Sequence, residues 1–271
     1  MSADLYIIAA GKGSRMAVNI PKALVPIVEE PCLTTTLQQI GHKFNNVFVV
    51  TNEDVQDQWE AYFNKLDNAY PELAKNVVNI PIRSGLGDGH AVLWGLKGAM
   101  DLQPKNVGSR WEAADDIVIA WGDVFFPQAE IIDELLSKRR LNGVIPAVRE
   151  NTPYVSLLTD ERMLCKSADF SKYGENHPTG FHDQSVFKFV RPQLNQALTT
   201  LHSAFWKNGR YITPGGELSL LHVFHYMYNI QQACSVYETD YPTLSFNTLD
   251  EVAGIQREID LKWKEKFRKN S

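Results

Sequence analysis

Apolar stretches of strand length alternate with amphipathic stretches of helix length through the first half of the chain. Short apolar runs bounded by glycine or polar residues predict buried strands, and apolar positions recurring every three or four residues predict helices. The predicted strands cover residues 4–10, 46–51, 77–82 and 116–120, and the predicted helices cover residues 33–43, 53–66 (capped by Asn52) and 90–100. This alternation is typical of an α/β fold with a mostly parallel, Rossmann-like sheet and helices on both faces.

The alternation weakens after about residue 143. Polar loops there separate short extended pieces at residues 144–148, 154–158 and 185–189. We expect these pieces to form a small antiparallel addition over one edge of the sheet, as an insertion at about residues 144–190. Further on, the pattern predicts helices at residues 193–205 and 217–230 and a strand at residues 235–238. Residues 1–248 are therefore expected to form one domain.

The segment of residues 249–271 has the most regular helical pattern in the chain. Its apolar stripe consists of Leu249, Val252, Ile255, Ile259, Trp263 and Phe267. Basic residues crowd its last turns, where they suit the negative end of the helix dipole. A docking helix of the same domain, with a solvated charged face, is therefore favoured over a tail that binds nucleic acid.

Charge and cysteine content restrict the partners and the compartment. The 271 residues carry a formal net charge of −5, so no basic field is available for a nucleic-acid backbone. Cys32, Cys165 and Cys234 lie far apart without a C-x-x-C pair, which favours reduced thiols and a cytoplasmic protein. No apolar run approaches the roughly 20 residues that span a bilayer. We expect a soluble protein that contacts neither nucleic acid nor membrane, and self-association is left open.

A glycine-rich segment after the first predicted strand carries the strongest chemical signal. It reads Ile8-Ala9-Ala10-Gly11-Lys12-Gly13-Ser14-Arg15-Met16 and is followed by Pro21-Lys22. Small residues let the backbone approach a ligand closely, and successive N–H groups can form an anion-binding nest. Arg15 offers a planar fork to phosphate oxygens, and Lys22 offers a compact positive charge.

Two other phosphate-binding patterns fit this segment less well. A dinucleotide fingerprint needs a third glycine where Met16 stands, and no convincing acidic residue follows about 20 positions later. A P-loop needs lysine after its second glycine, but Ser14 follows Gly13. The remaining pattern, G-x-G-[ST]-R-M with a later P-K, is that of nucleotidyltransferases.

With these residues the chain resembles the sugar-phosphate nucleotidyltransferase superfamily. By its motifs it is most similar, within that superfamily, to the uridylyltransferase domain that acts on N-acetylglucosamine 1-phosphate. Residues 86–92 (LGDGHAV) are similar to the L-G-T-G-H-A segment of that family. Residues 121–124 (WGDV) resemble its [YF]-G-D-V motif, and residues 246–248 (FNT) resemble its late V-N-N segment.

The resemblance implies roles for individual residues. The implied nucleotide-binding residues are Ile8, Ala9, Ala10, Gly11, Gly13, Ser14, Gly87, Asp88 and Trp121. Arg15 and Lys22 are implied as catalytic groups, and Asp123 and Asn247 as ligands of Mg²⁺. One carboxylate and one amide oxygen suffice, because magnesium keeps several waters and completes its shell with substrate phosphates. An isolated Asp at the end of a strand would more often cap a helix.

The implied reaction joins a nucleoside triphosphate, with UTP or CTP favoured, to a small phosphorylated acceptor and releases pyrophosphate. The acceptor is a sugar 1-phosphate or another phosphorylated alcohol. No general base is required, because the second pKa of a phosphomonoester is about 6. The loop amides and Arg15 would hold the triphosphate, Lys22 would screen the two phosphates from each other, and Mg²⁺ would bridge them.

The residues that recognise the base and the acceptor depart from the family pattern, and Ile82 stands where family members read the base with a glutamine. The family's motifs place acceptor contacts at Tyr154, Thr179 and Gly180. Four positions at which the family carries a contact residue are replaced here, namely Ile82, Asp88, Val155 and Pro178. Because a site built around hydrogen bonds rejects ligands that cannot make them, these changes together predict an acceptor other than a common hexose 1-phosphate.

Several interpretations remain open. A non-catalytic homologue that binds a nucleotide conjugate could keep the same fold, whereas a nicotinamide dehydrogenase fits the motifs much less well. His90 would either contact phosphate or cap its helix. Trp121 would either stack on the nucleotide or belong to the core. His222 and His225 have a metal-like spacing, but a pair of helix residues without a ligand is favoured.

Overall fold

The computed structural model describes residues 3–11, 16, 19–27, 29–83, 85–102, 114–138 and 142–269, with side chains up to residue 259. A ten-stranded mixed sheet runs through these residues. Its strands are β1 (Ala3–Ile8), β2 (Val47–Asn52), β3 (Val77–Ile82), β4 (Asp116–Trp121), β5 (Gly143–Asn151), β6 (Val155–Thr159), β7 (Cys165–Phe170), β8 (Thr179–Asp183), β9 (Val186–Val190) and β10 (Ser235–Glu238). The strand order is β7-β6-β8-β5-β9-β4-β1-β2-β3, and β10 pairs with β5.

Helices cover both faces of this sheet. They are α1 (Cys32–Ile40), α2 (Gln56–Ala69), α3 (Pro71–Ala74), α4 (Asp88–Leu102), α5 (Glu130–Ser137), α6 (Arg191–Phe205), α7 (His222–Asn229) and α8 (Leu249–Lys269). No described helix combines the length and the apolar content that crossing a membrane requires.

The half of the sheet formed by β4, β1, β2 and β3 is parallel. Every residue of β1 and β2 is buried, because one face packs against α4 and the other against α1 and α2. Strands buried on both faces read as continuous apolar runs, which is why the pattern predicted them. The predicted Rossmann-like α/β class is confirmed.

The antiparallel addition is present, but it is joined to the sheet strand by strand. β9 pairs antiparallel with β4, and β5 and β8 continue the ladder from there. The expected layer over one edge is thus an extension of the sheet itself. The reason is that Phe187 and Phe189 of β9 are fully buried in the same core as the isoleucines of β4.

One predicted helix begins later than expected. The pattern predicted a helix over residues 217–230, but α7 begins at His222. The preceding residues instead lie along the start of α4, where Leu218 N–H donates to Leu86 O over 2.9 Å. Gly89 N–H donates back to Leu218 O, also over 2.9 Å. These two bonds occupy the backbone N–H and C=O of Leu218, which a helix beginning at residue 217 would use internally.

The C-terminal helix packs through Val252, Ile255 and Ile259 of its predicted apolar stripe, whereas Leu249, the first residue of that stripe, is exposed. Val252 and Ile255 are buried in a cluster with Val25, Ile27 and Phe246, and Ile259 packs against that cluster. The side chains of Trp263 and Phe267 lie outside the described part of the chain. α8 is therefore attached to the strand–loop segments that precede α1 and follow β10, beside the candidate site.

Candidate active site

Gly122 brings two of the predicted site residues together. Its N–H donates to Ile8 O over 2.9 Å, so the chain leaving β4 lies against the end of β1. A Cβ at position 122 would lie 2.9 Å from Ala9 Cβ and 3.1 Å from Ala23 Cβ. Only glycine permits this approach, and it places Asp123 beside Lys22. The two side chains form a partly exposed ion pair between Lys22 Nζ and Asp123 Oδ2.

Asn247 is the third group at this point, although it lies 225 positions after Lys22. Lys22 Nζ donates to Asn247 Oδ1 over 3.2 Å. A short antiparallel ladder explains the proximity, because it pairs residues just after Asp123 with residues just before Asn247. Its pairs are Phe125 with Leu244 and Val124 with Ser245.

A buried aromatic residue anchors the segment that carries Asn247. Phe246 is fully buried beside Val25 and Ile27, and its ring centroid lies 5.8 Å from Lys22 Nζ. Thr36 of α1 supports the facing strand by donating its hydroxyl to Val124 O over 3.1 Å. The segments that carry Asn247 and Asp123 are therefore held in place by the packed core.

The geometry fits a hard cation. A carboxylate oxygen of Asp123 and the amide oxygen of Asn247 both face the Lys22 ammonium, so two oxygen ligands converge on a positive charge. Ligands of this kind suit Mg²⁺, which keeps waters and takes phosphate oxygens for the rest of its shell. Among the described residues no cluster of three or more His, Cys, Asp or Glu side chains could hold a metal. Asp123 and Asn247 are the residues here that could hold magnesium.

The described part of the glycine-rich segment lies at the same edge of the sheet. Ala9 and Ala10 are buried, and Ala9 N–H donates to Val50 O over 2.8 Å, which continues the β1–β2 ladder. Gly11 is exposed, with open space around the position of an added Cβ. The predicted residues Gly13, Ser14 and Arg15 lie outside the described residues.

Gly87 and Asp88 follow β3, and the carboxyl ends of parallel strands share one edge of the sheet. Gly87 has φ +97°, and an added Cβ would come within 2.3 Å of Leu218 O. Asp88 Oδ1 accepts the Leu220 N–H over 2.6 Å. Burial of the carboxyl group raises the pKa of Asp88. Both residues thus bind the chain's own segment 218–220.

His90 is packed in the core, and Trp121 is half-buried against it. Trp121 lies 5.5 Å from Phe187 between ring centroids, and it packs against both faces of the sheet. His90 is buried, and its Nδ1 lies 2.8 Å from the Tyr211 hydroxyl, which lies equally far from His202 Nδ1. Burial, with His202 as the next cause, lowers the pKa of His90 to about 4. This imidazole is thus bonded to Tyr211.

The histidines of α7 also have local partners. Ser219 N–H donates to His222 Nδ1 over 3.2 Å, and His225 Nε2 lies 3.0 Å from Asn229 Nδ2. Both imidazoles are thus hydrogen-bonded to residues on or just before α7.

The predicted acceptor residues lie on the antiparallel extension. Tyr154 is exposed just before β6, and Thr179 and Gly180 begin β8. At Gly180 an added Cβ would lie 3.2 Å from Ser156 Oγ, so this strand packs closely on β6. Tyr154 O accepts the Ser171 N–H over 3.1 Å, which ties its backbone to β7.

Sequence reasoning missed Asp183, which is buried at the end of β8. Its Oδ1 accepts the Ser185 N–H over 2.8 Å, and Ser185 has φ +56°. Ser185 O in turn accepts the Trp121 N–H over 3.2 Å, so Asp183 lies near the end of β4. Burial, with Asp88 as a further negative charge, raises the pKa of Asp183. The only sequence signal was an acidic residue before a predicted strand.

Fold and site together define the class of this protein, an α/β domain with a lysine, a carboxylate and an amide oxygen gathered at the carboxyl edge of its sheet. Residues 5–204 match the MobA-like NTP transferase domain, and the chain belongs to that family. The resemblance to the sugar-phosphate nucleotidyltransferase superfamily is thereby confirmed.

Individual relatives agree with this assignment. The chain is 30% identical over 173 residues to the bifunctional protein GlmU of Ruegeria sp. (strain TM1040), a match that covers 63% of this chain and 34% of GlmU. This chain thus spans about a third of that relative. The nucleoside-diphosphate-sugar pyrophosphorylase of Vibrio cholerae RC9 has a TM-score of 0.69 at 12% identity, covering 94% of this chain and 99% of that one. The inositol-1-phosphate CTP transferase of T. maritima has a TM-score of 0.65 at 14% identity, covering 95% and 96%. Similarity at these identities concerns the fold alone.

Proposed function

We propose that the protein is a magnesium-dependent nucleotidyltransferase that joins a nucleoside triphosphate to a small phosphorylated acceptor and releases pyrophosphate. The observation that carries the proposal is the convergence of Asp123 and Asn247 oxygens on the Lys22 ammonium. UTP and CTP are the favoured nucleotides, and the acceptor is a sugar 1-phosphate or another phosphorylated alcohol. Family membership supports the class of reaction.

In this reaction a phosphate oxygen of the acceptor forms a bond to the α-phosphorus, and the bond from the α-phosphorus to the pyrophosphate oxygen breaks. The attacking phosphate is already a dianion near neutrality, since its second pKa is about 6. The protein therefore supplies positioning and charge compensation. Bound Mg²⁺, held by Asp123 and Asn247, would offset the charge that develops on the phosphates.

Among the protein groups, Lys22 is the most important in the proposed reaction. Its flexible stem lets the ammonium exchange a carboxylate oxygen of Asp123 for a phosphate oxygen when substrates bind. It would then reduce the repulsion between the acceptor phosphate and the α-phosphate. The amides of residues 8–14 and Arg15 would hold the triphosphate. Gly87, Asp88 and Trp121 would contribute to binding the nucleotide, and Tyr154, Thr179 and Gly180 to binding the acceptor.

Pyrophosphate release tests this function directly. We expect a panel of nucleoside triphosphates and phosphorylated acceptors to give release with one or a few pairs, and only with Mg²⁺ present. The Lys22→Ala variant should still bind nucleotide while its turnover collapses. Inactivity of the native protein across a broad panel would contradict the proposal.

A second candidate is a homologue that binds a finished nucleotide conjugate without turnover. The observation in its favour is that Asp88, where the family carries threonine, is bonded to the chain's own backbone at Leu220. Calorimetry separates the two functions. Tight, magnesium-independent binding of a nucleotide conjugate by a protein that releases no pyrophosphate would favour the binding function.

A further inference from the structure

The first turn of α8 contains a reciprocal capping arrangement. Thr248 Oγ1 accepts the N–H of Glu251 over 3.2 Å, and Glu251 Oε2 accepts the N–H of Thr248 over 3.1 Å. Such a capping box satisfies amide groups that the helix itself leaves without a partner. The carboxylate of Glu251 also carries negative charge near the positive end of the helix dipole, where it is favourable.

The same carboxylate makes one bond that a capping box does not require. Glu251 Oε2 also accepts the backbone N–H of Asn247. Asn247 is the residue whose side-chain oxygen faces Lys22 Nζ at 3.2 Å. One surface glutamate therefore connects the start of α8 to a group of the candidate magnesium site.

Two anchors fix the position of this glutamate. Val252, the next residue along α8, is buried, and Ile255 is buried one turn later. On the other side of Asn247, Phe246 is fully buried in the same cluster. The backbone of Asn247 is thus held between a buried ring and a hydrogen-bonded carboxylate.

We infer that Glu251 is a positioning residue, which fixes the backbone of Asn247 so that its amide oxygen meets the Lys22 ammonium beside Asp123. The docking of α8 thereby becomes part of assembling the magnesium site. The inference rests on the proposed function as far as Asn247 holds the metal. Glu251 itself contacts none of the reacting groups. Its effect arises because a ligand must be held within about 0.5 Å of its working position, and an asparagine oxygen follows its own backbone.

Three variants distinguish an effect of Glu251 on the position of Asn247 from effects of its charge and from effects on the stability of α8. Glu251→Ala removes the bond to Asn247. Glu251→Gln keeps a carbonyl acceptor but removes the charge. Asp250→Ala removes a charge from the same turn, and among the described contacts Asp250 has no hydrogen bond or ion pair to lose.

The first measurement uses the metal-free protein and does not depend on activity. Hydrogen exchange of the Asn247 and Thr248 amides should become at least about tenfold faster in Glu251→Ala, since a buried or bonded amide exchanges through local opening. The Asn247 side-chain amide resonance should shift in the same variant. Both should stay near the native values in Glu251→Gln and Asp250→Ala.

The second measurement is the magnesium titration of pyrophosphate release. The Mg²⁺ concentration for half-maximal rate should rise about tenfold in Glu251→Ala, the lower end of what loss of a residue supporting a metal ligand causes. The Mg²⁺ concentration for half-maximal rate should be close to the native value in both Glu251→Gln and Asp250→Ala. Faster exchange with an unchanged magnesium titration would overturn the inference, because Glu251 would then serve only the helix. Failure of Glu251→Gln to restore the native titration would also overturn it, since charge would then be the cause.

The two proposals fail in different ways. If the native protein shows no turnover while the exchange and resonance results are as expected, the proposed function is wrong and the positioning of Asn247 stands. If the native protein is active and Glu251→Ala changes neither the exchange nor the resonance, the positioning is wrong and the function stands.

Discussion

The ammonium of Lys22 lies 3.2 Å from the amide oxygen of Asn247, a residue 225 positions further along the chain. The contact joins the segment after β1 to the start of α8, and Asp123 brings the end of β4 to the same point. Three segments that lie far apart in the sequence therefore contact one another at the candidate site. Changes in the packing between these segments should affect stability and turnover together.

Gly122→Ala tests that dependence. The added methyl would lie 2.9 Å from Ala9 Cβ, so the chain beside Asp123 must shift. We expect the free energy of unfolding in urea to fall by about 1–3 kcal/mol, which is typical of overpacking in a core, and turnover to fall with it.

Gly254→Ala is the matched control, because nothing lies within 4 Å of an added Cβ in that part of α8. Alanine should leave the free energy of unfolding unchanged or raise it by up to about 1 kcal/mol. Equal stability of the native protein and Gly122→Ala would contradict the close approach of β4 to the glycine-rich segment.

The bonds of Tyr211 to His90 and His202 predict a cost for removing one hydroxyl. Tyr211→Phe leaves two imidazole Nδ1 atoms without this partner, and His90 is buried. The free energy of unfolding should fall by about 1–3 kcal/mol, as is usual when a buried polar group loses its partner. Native-like stability of Tyr211→Phe in urea would mean that the hydroxyl is replaced without cost.

The same cluster predicts a dependence of stability on pH. Burial lowers the pKa of His90 from 6.5 to about 4, so the unfolded chain binds the proton first as pH falls. Stability from this group is present above pH 6.5 and is lost as pH falls from 6.5 towards 4, at up to about 1.4 kcal/mol per pH unit. Urea unfolding at pH 7.5 and 5.0 measures the loss, and His90→Gln should reduce it. An unchanged slope in His90→Gln would assign the loss to other groups.

Asp88→Asn separates a structural role of Asp88 from a role in binding. The asparagine oxygen can still accept the Leu220 N–H, and the change removes a charge whose burial is unfavourable. We expect stability at neutral pH to be kept or raised. Asp88→Ala should instead lose about 1–2 kcal/mol, since the Leu220 amide then loses its acceptor. A KM for nucleotide that rises in Asp88→Asn, with stability kept, would assign Asp88 to the nucleoside.

The central strands β1, β2 and β4 could be predicted from the sequence because they are buried on both faces and therefore read as apolar runs. The strands Val77–Ile82 and Ser235–Glu238 have the bounds that the pattern predicted. β7 and β8 could not be found this way. Several of their residues are only half-buried, so neither segment shows a clear alternation of apolar and polar positions.

The site was predictable where a motif marked it. Asp123 and Asn247 came from the resemblance, and the structure brings both to Lys22. Asp183 and Glu251 could not be found. Asp183 lies at the end of a strand that the pattern did not predict, and no motif marks Glu251. Its bond to Asn247 depends on where α8 begins, which periodicity does not define to within one residue.

Asp123→Asn tests most directly whether Asp123 holds magnesium beside Lys22. The ion pair is partly exposed, so the change should lower the free energy of unfolding by less than about 1 kcal/mol. Turnover should fall by about 10²-fold or more, because bound Mg²⁺ would no longer offset the negative charge of the transition state. Asp133→Asn, which removes an exposed carboxylate paired with Lys43, should leave turnover unchanged. Near-normal turnover of a folded Asp123→Asn protein at low Mg²⁺ would contradict the account.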